Sequence, residues 1–264
     1  MVCESPVALS PMLHENRQRA ESFGADAERY DRARPSYPEA LVDELLSEGA
    51  AGVLDVGCGT GIVSRLFQGR GCQVLGIEPD QRMARLARRR GVTVEVASFE
   101  RWDARERRFD LLTCGQAWHW VDPDVGAVKA ADVLHPGGRL GLFWNFGRFP
   151  PDVWEALAVT YGRLEPELER YSVLLGNADG RLDATSEVLG RTGRFAPPEL
   201  RTWIWTRRYT ADQWLESLLT HSDHQTLPAP RRDALIGAVG EAIDWLGGAF
   251  EMTYETHLVT TRAR

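Results

Sequence analysis

Residues 53–61 read V-L-D-V-G-C-G-T-G, a β-branched apolar run that breaks into three alternate glycines. A run of this kind, Ala51 to Val56, suits a parallel strand buried on both faces. Gly57, Gly59 and Gly61 then give the backbone special angles and leave no side chain between main chain and ligand. Ile62 to Arg70 reads as helix, and a second apolar run, Val74 to Ile77, ends at Glu78. That acid stands about twenty residues beyond the turn, the offset at which a dinucleotide fold presents a carboxylate to two ribose hydroxyls. Strand, turn, second strand and acid together imply an adenosine-bearing cofactor. Glu78 then either meets its ribose or caps the next helix.

The phosphate logic argues against a dinucleotide. A helix N-terminus that holds a pyrophosphate must face an anion, and Asp55, inside the strand just before the turn, is a poor neighbour for one. It suits a positively charged group, or alternatively it bonds nearby backbone and holds the loop. S-adenosylmethionine offers an ammonium and a sulfonium, and its carboxylate can take N–H groups from the turn. Cys58 and Thr60 within the turn, and Pro79 and Met83 beyond the acid, complete this set of candidate cofactor contacts. No Lys-Ser or Lys-Thr pair follows the glycines, which excludes a Walker A loop.

Four stretches carry a resemblance. V-L-D-V-G-C-G-T-G, G-I-E-P-D (Gly76 to Asp80), F-D-L-L-T-C-G-Q-A-W-H-W (Phe109 to Trp120) and V-L-H-P-G-G-R-L (Val133 to Leu140) resemble class I S-adenosylmethionine-dependent methyltransferases, nearest the small-molecule type 11 branch. The resemblance begins near Phe23 and runs to the end of the chain. It implies an α/β fold: a doubly wound, Rossmann-like, seven-stranded and mostly parallel sheet with an antiparallel C-terminal edge and a helical cap. It also implies one domain over residues 1–264, with 1–40 as a cap over the cofactor and a helical insertion at 146–198 as a substrate lid.

The residues give the same rhythm. Helices are expected at Phe23 to Arg34, Glu39 to Ser47, Ile62 to Arg70, Gln81 to Arg90 and Asp124 to Val133. Strands are expected at Val53 to Val56, Val74 to Ile77, Thr93 to Ala97, Phe109 to Cys114 and Arg139 to Trp144. After Asn145 the pattern reads as helices Pro151 to Tyr171 and Asp183 to Arg191, joined by the Gly176 to Gly180 loop. A strand at Leu200 to Arg207, helices Ala211 to Leu219 and Pro230 to Leu246, and a last strand at Met252 to Thr260 follow. The first twenty residues, polar and holding Pro6 and Pro11, read as loose or as a lid.

A chain of 264 residues that is 43 % hydrophobic can bury a full core. Its net charge of -7 argues against a general nucleic-acid surface. The arginine-rich Arg82 to Arg90 run reads as the solvated face of a sheet-covering helix, with Met83, Leu86 and Ala87 as its apolar stripe. Cys3, Cys58, Cys72 and Cys114 lack metal-ligand spacing and fit a reducing compartment. With no signal-like start and no long apolar run, the chain is expected to be cytoplasmic, off the membrane, and a monomer or homodimer.

Several positions remain two-sided. The family pattern implies an Asp beside the adenine amino group where this chain has Ser98 and Phe99. Ser98 either accepts that hydrogen bond or is a loop residue, and Phe99 either packs on the ring or belongs to the core. Glu100 stands nearby as a substitute acid. Gln116 lines the methionine end or closes its own turn. Tyr30 and Arg34, four apart on one helical face, either close over the cofactor, with Arg34 on its carboxylate, or lie on the surface. His119 is a candidate general base, substrate-orienting group or structural histidine. Trp118, Trp120, Trp144 and Asn145 are candidate walls for a flat acceptor. His221 and His224, around Asp223, are read as a loop that touches substrate more readily than as a metal site, and no metal is expected.

The activity implied is methyl transfer to an O, N or C atom of a small aromatic or secondary metabolite. The alternatives are a methyltransferase acting on RNA or protein, or a catalytically silent cofactor-binding scaffold. No nucleic-acid partner is expected.

Overall fold

The structure, a computed structural model, describes residues 22–166, 168 and 180–264. The loose segment expected over the first twenty residues therefore lies outside the described residues, as does most of the Gly176 to Gly180 loop. Strand β1 (Gly52–Val56) lies in parallel register between β2 (Gln73–Ile77) and β4 (Phe109–Gly115), with Leu54 opposite Leu75 and Leu112. Val53, Leu54 and Val56 are buried, as a doubly covered strand requires. Outside β2 pairs the short β3 (Thr93–Glu95), and beside β4 runs β5 (Leu134–Arg148). Strand β7 (Ala249–Arg262) is antiparallel to both β5 and β6 (Glu199–Thr210) and lies between them. The order is β3-β2-β1-β4-β5-β7-β6 in one seven-stranded sheet, the fold class expected.

The order reverses between β1 and β4. In open α/β sheets a ligand crevice opens beyond the carboxyl ends of the strands at that point. The glycine turn sits there.

Helices cover both faces. On one, α1 (Ala27–Ala33), α2 (Glu39–Leu45) and α3 (Ile62–Gln68) lead to a core in which Leu41, Val42, Leu45 and Phe67 meet Phe143 and Leu258 of the sheet. On the other, α5 (Pro123–Val133) and α7 (Arg181–Arg191) bury Ala127, Ala130, Leu182 and Leu189 against Leu112, Leu140 and Trp144. Helix α4 (Gln81–Arg89) is started by Asp80, whose carboxylate accepts the Arg82 N–H at 2.8 Å, and α5 by Asp122, which accepts from Asp124 and Val125.

A third core lies past the carboxyl ends of β5 and β6. There α6 (Pro151–Leu164), α8 (Ala211–Leu218) and α10 (Ala229–Trp245) pack Leu157, Trp214, Leu235 and Val239 onto Tyr209, Phe250 and Met252. Between α8 and α10 lies the single turn α9 (Ser222–Gln225). The two halves of the expected insertion thus go to different places, α6 to this helical layer and α7 to α5. The partners of α6 come from residues 211–245, a stretch outside the expected insertion.

The expected fifth strand lengthens, and the segment after β4 takes a turn of its own. Strand β5 continues past Trp144 to Arg148 because β7 pairs with it from Arg139↔Arg262 to Arg148↔Thr253. Such pairing is long-range and leaves no local periodicity. Trp118–Trp120 forms a 3-10 turn after β4, closed by Val121 N–H to the Trp118 carbonyl at 3.0 Å. Among the described residues no helix is long and apolar enough to cross a membrane.

Leu41 has no exposed surface and joins α2 to the sheet. Leu41→Ala is expected to cost about 2–5 kcal/mol, seen as a lower urea midpoint at unchanged slope. A loss below about 1 kcal/mol would mean that α2 is not part of the cooperative core.

Candidate functional site

The glycine turn is built by hydrogen bonds that demand its glycines. The N–H groups of Gly57 and Cys58 both donate to the Ile77 carbonyl, at 2.8 and 3.1 Å, and Gly61 N–H donates to the Cys58 carbonyl at 2.8 Å. Gly57, Gly59 and Gly61 have φ of 66, 55 and 85°, and a Cβ on Gly57 would lie 2.5 Å from that of Ala117. Beneath the turn Cys58 is buried against β2, where a Cβ on Gly76 would lie 2.5 Å from its sulfur. The Met83 methyl supports Gly59 from α4, and Pro79 stands exposed beside it.

Glu78 is the keystone of this turn. One carboxylate oxygen accepts the Gly59 N–H and the other the Asp80 N–H, each at 2.9 Å. The acid at the end of β2 therefore holds the turn at the end of β1 directly. Asp55 is more deeply buried, 1 % exposed, and accepts from the Ser64 hydroxyl at 2.5 Å and the Thr113 hydroxyl at 3.3 Å. Burial pushes both carboxyls up to about 7, against the lowering effect of those hydrogen bonds.

Two hydroxyls at the crevice stay unpartnered. The side-chain oxygens of Thr60 and Ser98 are buried and have no hydrogen-bond partner among the described residues. Ser98 opens the turn after β3, where its carbonyl accepts from Arg101 and Trp102. Phe99 is 3 % exposed and packs with Trp102 and Trp118, at ring distances of 6.4 and 6.2 Å. The structure thus places Phe99 and Trp118 inside the aromatic core. Glu100 turns toward α5, accepting the Asp122 N–H at 3.0 Å.

At the other end of the crevice Gln116 takes a left-handed φ of 55°, costly for a residue with a Cβ and frequent at working sites. Its side chain donates to the Asn145 carbonyl at 3.0 Å. The Asn145 amide is committed on both sides, donating to the Ser36 carbonyl at 3.0 Å and accepting from Thr256 at 2.6 Å. It clamps the N-terminal cap to β5 and β7. Trp144, fully buried, donates its indole N–H to Nδ1 of His119 at 3.4 Å. That bond occupies the Nδ1 lone pair and leaves the proton of a neutral His119 on Nε2. His119 and Trp120 are half-buried side by side, ring centroids 5.0 Å apart.

The cap is tied to the turn by a residue that the sequence reading missed. Arg65 donates to Asp31 of α1 and to the Thr60 carbonyl, both at 2.8 Å. Tyr37, between Pro35 and Pro38, is a second. Its ring meets Phe143 edge-on at 4.8 Å, and its hydroxyl would be 2.9 Å from a Cβ on Gly115 at the end of β4. The two prolines, which hold the chain extended around it, were the available signal. Tyr30 and Arg34 do meet, the guanidinium 5.0 Å above the ring. Arg34 also donates to the Thr220 carbonyl at 2.9 Å, while its Nε is buried without a partner among the described residues.

Asp223 and His224 are used internally. The Asp223 carboxylate accepts from His224 Nδ1 at 2.8 Å, and His224 Nε2 meets the Tyr161 hydroxyl at 2.7 Å, linking α9 to α6. Elsewhere a groove of about 990 Å³ runs along the outer side of α5, lined by Trp102, Arg107, Val125, Val128 and Lys129 among others. It holds none of the expected site residues.

A family described as "Methyltransferase domain" matches residues 53–138. An uncharacterized methyltransferase of Geobacillus kaustophilus (strain HTA426) is 31 % identical over 175 residues, covering 58 % of this chain and 81 % of the relative. One of Mycobacterium tuberculosis (strain ATCC 25618 / H37Rv) is 38 % identical over 136 residues, 51 % of this chain and 56 % of the relative. The chain thus spans a little over half the length of the mycobacterial relatives that it matches. In fold it is similar to a solved putative type II methyltransferase from Anaeromyxobacter dehalogenans. The TM-score is 0.57 at 22 % identity, covering 87 % of this chain and 97 % of the other.

The two raised carboxyls set a pH dependence. Each keeps a proton when folded that it loses when unfolded, so their contribution to stability is full below the unfolded values and is lost as pH rises through about 7. His221, whose imidazole burial pushes well below the ordinary value, acts in the opposite sense in the same window. The test is therefore a difference: Asp55→Asn should lose less stability than the native chain between about pH 5 and about pH 8. Equal losses in denaturation midpoint would place the Asp55 titration outside this window.

Proposed function

Because this chain belongs to the class I S-adenosylmethionine-dependent methyltransferases, we propose that it methylates an O, N or C atom of a small acceptor molecule. The carrying observation is Glu78, placed at the end of β2 and bonded to the turn after β1. A carboxylate has about four lone-pair positions, so Glu78 can hold Gly59 and Asp80 and still accept from two ribose hydroxyls.

The other residues fit the same cofactor. The unpartnered Ser98 oxygen suits the adenine amino group, and the unpartnered Thr60 hydroxyl lies in the glycine turn itself. The free Nε of Arg34 suits that carboxylate, with Tyr30 beneath the guanidinium. Asp55, held by Ser64 and Thr113, supplies negative charge under a cationic ligand. When bound, S-adenosylmethionine supplies a methyl group on a positively charged sulfur for in-line displacement. The protein's part is to align the acceptor and keep water out.

The sheet order supports an acceptor subsite beside β4 and β5. With adenosine over β1, β2 and β3, the reactive end of the cofactor points toward β4 and β5, where Tyr37, Gln116 and His119 stand. His119, its Nδ1 engaged by Trp144, acts in this reading as a hydrogen-bond donor that orients the acceptor rather than as a base.

A methyl-labelled cofactor, incubated with purified protein and a fractionated cell extract, should label a small-molecule fraction. Label in RNA or protein alone overturns the acceptor class. Once an acceptor is in hand, His119→Ala should raise KM about 5- to 10-fold, the worth of one hydrogen bond, with the kcat pH profile unchanged. Loss of an ionisation near neutrality from that profile would make His119 the base instead.

Glu78→Gln should weaken demethylated cofactor. In the native chain that affinity should rise with pH through about 7, because the ionised carboxylate is the better double acceptor. A flat calorimetric profile in the native chain would remove Glu78 from the ribose.

A further inference from the structure

On the acceptor side of the crevice stand two half-buried guanidinium groups, Arg34 and Arg207, with no carboxylate in ion-pair reach among the described residues. Other half-buried arginines are neutralised: Arg65 by Asp31, Arg107 by Glu95 and Arg139 by Glu44. In a chain of net charge -7, acids are in excess, so two uncompensated cations under a helical layer require an account. Desolvating a cation without a counterion is costly.

Arg207 is held in place from several sides. It leaves β6 on the face that carries Trp205 and Tyr209, and its guanidinium lies 4.6 Å from the Tyr209 ring centre. One of its nitrogens donates to the Arg34 carbonyl at 3.3 Å. Below it the Tyr209 and Tyr254 hydroxyls share a hydrogen bond of 2.7 Å, and Trp205 stacks on Tyr254 at 4.6 Å. These contacts fix the group's position and use one of its five N–H donors on a backbone carbonyl. None of them balances its charge.

The segment from Arg34 to Tyr37 joins this place to the cofactor crevice. Its Tyr37 reaches Gly115 at the end of β4, its Ser36 carbonyl is held by Asn145 of β5, and its Arg34 carbonyl by Arg207 of β6. One path thus crosses the sheet ends from the methyl-bearing end of the crevice to Arg207. The cofactor has a single carboxylate, which Arg34 satisfies in the reading above. The second guanidinium is left over.

Resting on the methyltransferase reading, we propose that the acceptor is a small organic acid whose carboxylate is held by Arg207, with the Tyr209–Tyr254 pair as the floor of that subsite. A planar guanidinium pairs with a carboxylate through two parallel hydrogen bonds, and it does so more strongly where water is thinned. The carboxylate is the handle by which the molecule is oriented. Trp205, beside the floor, offers an apolar wall for its carbon skeleton.

Calorimetry on the full chain saturated with demethylated cofactor tests this with matched probes: phenylacetate against phenylacetamide, and glutarate against glutaramide. In at least one pair the acid should bind about ten- to a hundredfold more tightly than its amide. Arg207→Gln should erase that preference and Arg207→Lys should restore part of it, each chain being compared at saturating demethylated cofactor. If no acid outbinds its amide, or if Arg207→Gln leaves the preference intact, the subsite is not for a carboxylate. If the native chain fails to bind demethylated cofactor, the methyltransferase reading itself falls. Circular dichroism of each variant separates lost recognition from lost fold.

Discussion

The bond between the Glu78 carboxylate and the Gly59 N–H joins the ends of two adjacent parallel strands, β1 and β2, beside the switch point of the sheet. Everything at the crevice is placed relative to it. It sets the height of the glycine turn, and through Thr60 and Arg65 the turn sets the position of the cap helix α1. Through Asp80 the same carboxylate sets the start of α4, whose Met83 supports the turn from below. A longer side chain at Gly57 or Gly76 would break the assembly from inside, against Ala117 or Cys58. The carboxylate is buried, so the fold pays for its desolvation with backbone hydrogen bonds that also shape the site.

Two buried carboxyls have separate parts in this arrangement. Asp55 faces hydroxyls, from Ser64 and Thr113, and is sealed within the sheet. Glu78 faces backbone N–H groups at the rim. Both are raised by burial, and a bound cation or a pair of donating hydroxyls would favour their ionised forms. A cofactor held there, as proposed, would release protons on binding without the use of a histidine.

The parallel half of the fold was legible because its signals are local. The apolar run before Gly57, the run before Glu78 and the caps at Asp80 and Asp122 each lie within a few residues of the element they define. The second half was legible only in outline. Nothing local tells α6 from α7, yet one joins α8 and α10 and the other joins α5. The extension of β5 to Arg148 follows from β7, more than a hundred residues later in the chain. Site residues divide in the same way. As candidates, Glu78 and the glycines stand out by spacing, whereas the contacts of Arg65, Tyr37 and Arg207 arise only through tertiary packing. Trp118 and Phe99 were ambiguous for a different reason: an aromatic residue after a strand end serves a core and a ligand wall equally well. The positive φ of Gln116 is invisible in a sequence.

Strand β6 closes the sheet at its outer side, and Leu200 and Ile204 stand 55 % and 71 % exposed on it. Twelve residues of open backbone with apolar side chains form a template for stray strands. The same strand carries Arg201 and Arg208, both exposed, as interruptions along that ladder. Charged side chains along an edge strand disfavour edge-to-edge pairing, and here Arg201, ion-paired with Glu199 at 2.9 Å, and Arg208 supply them. Where high salt screens such charges, this margin is the place where self-adhesion should first emerge.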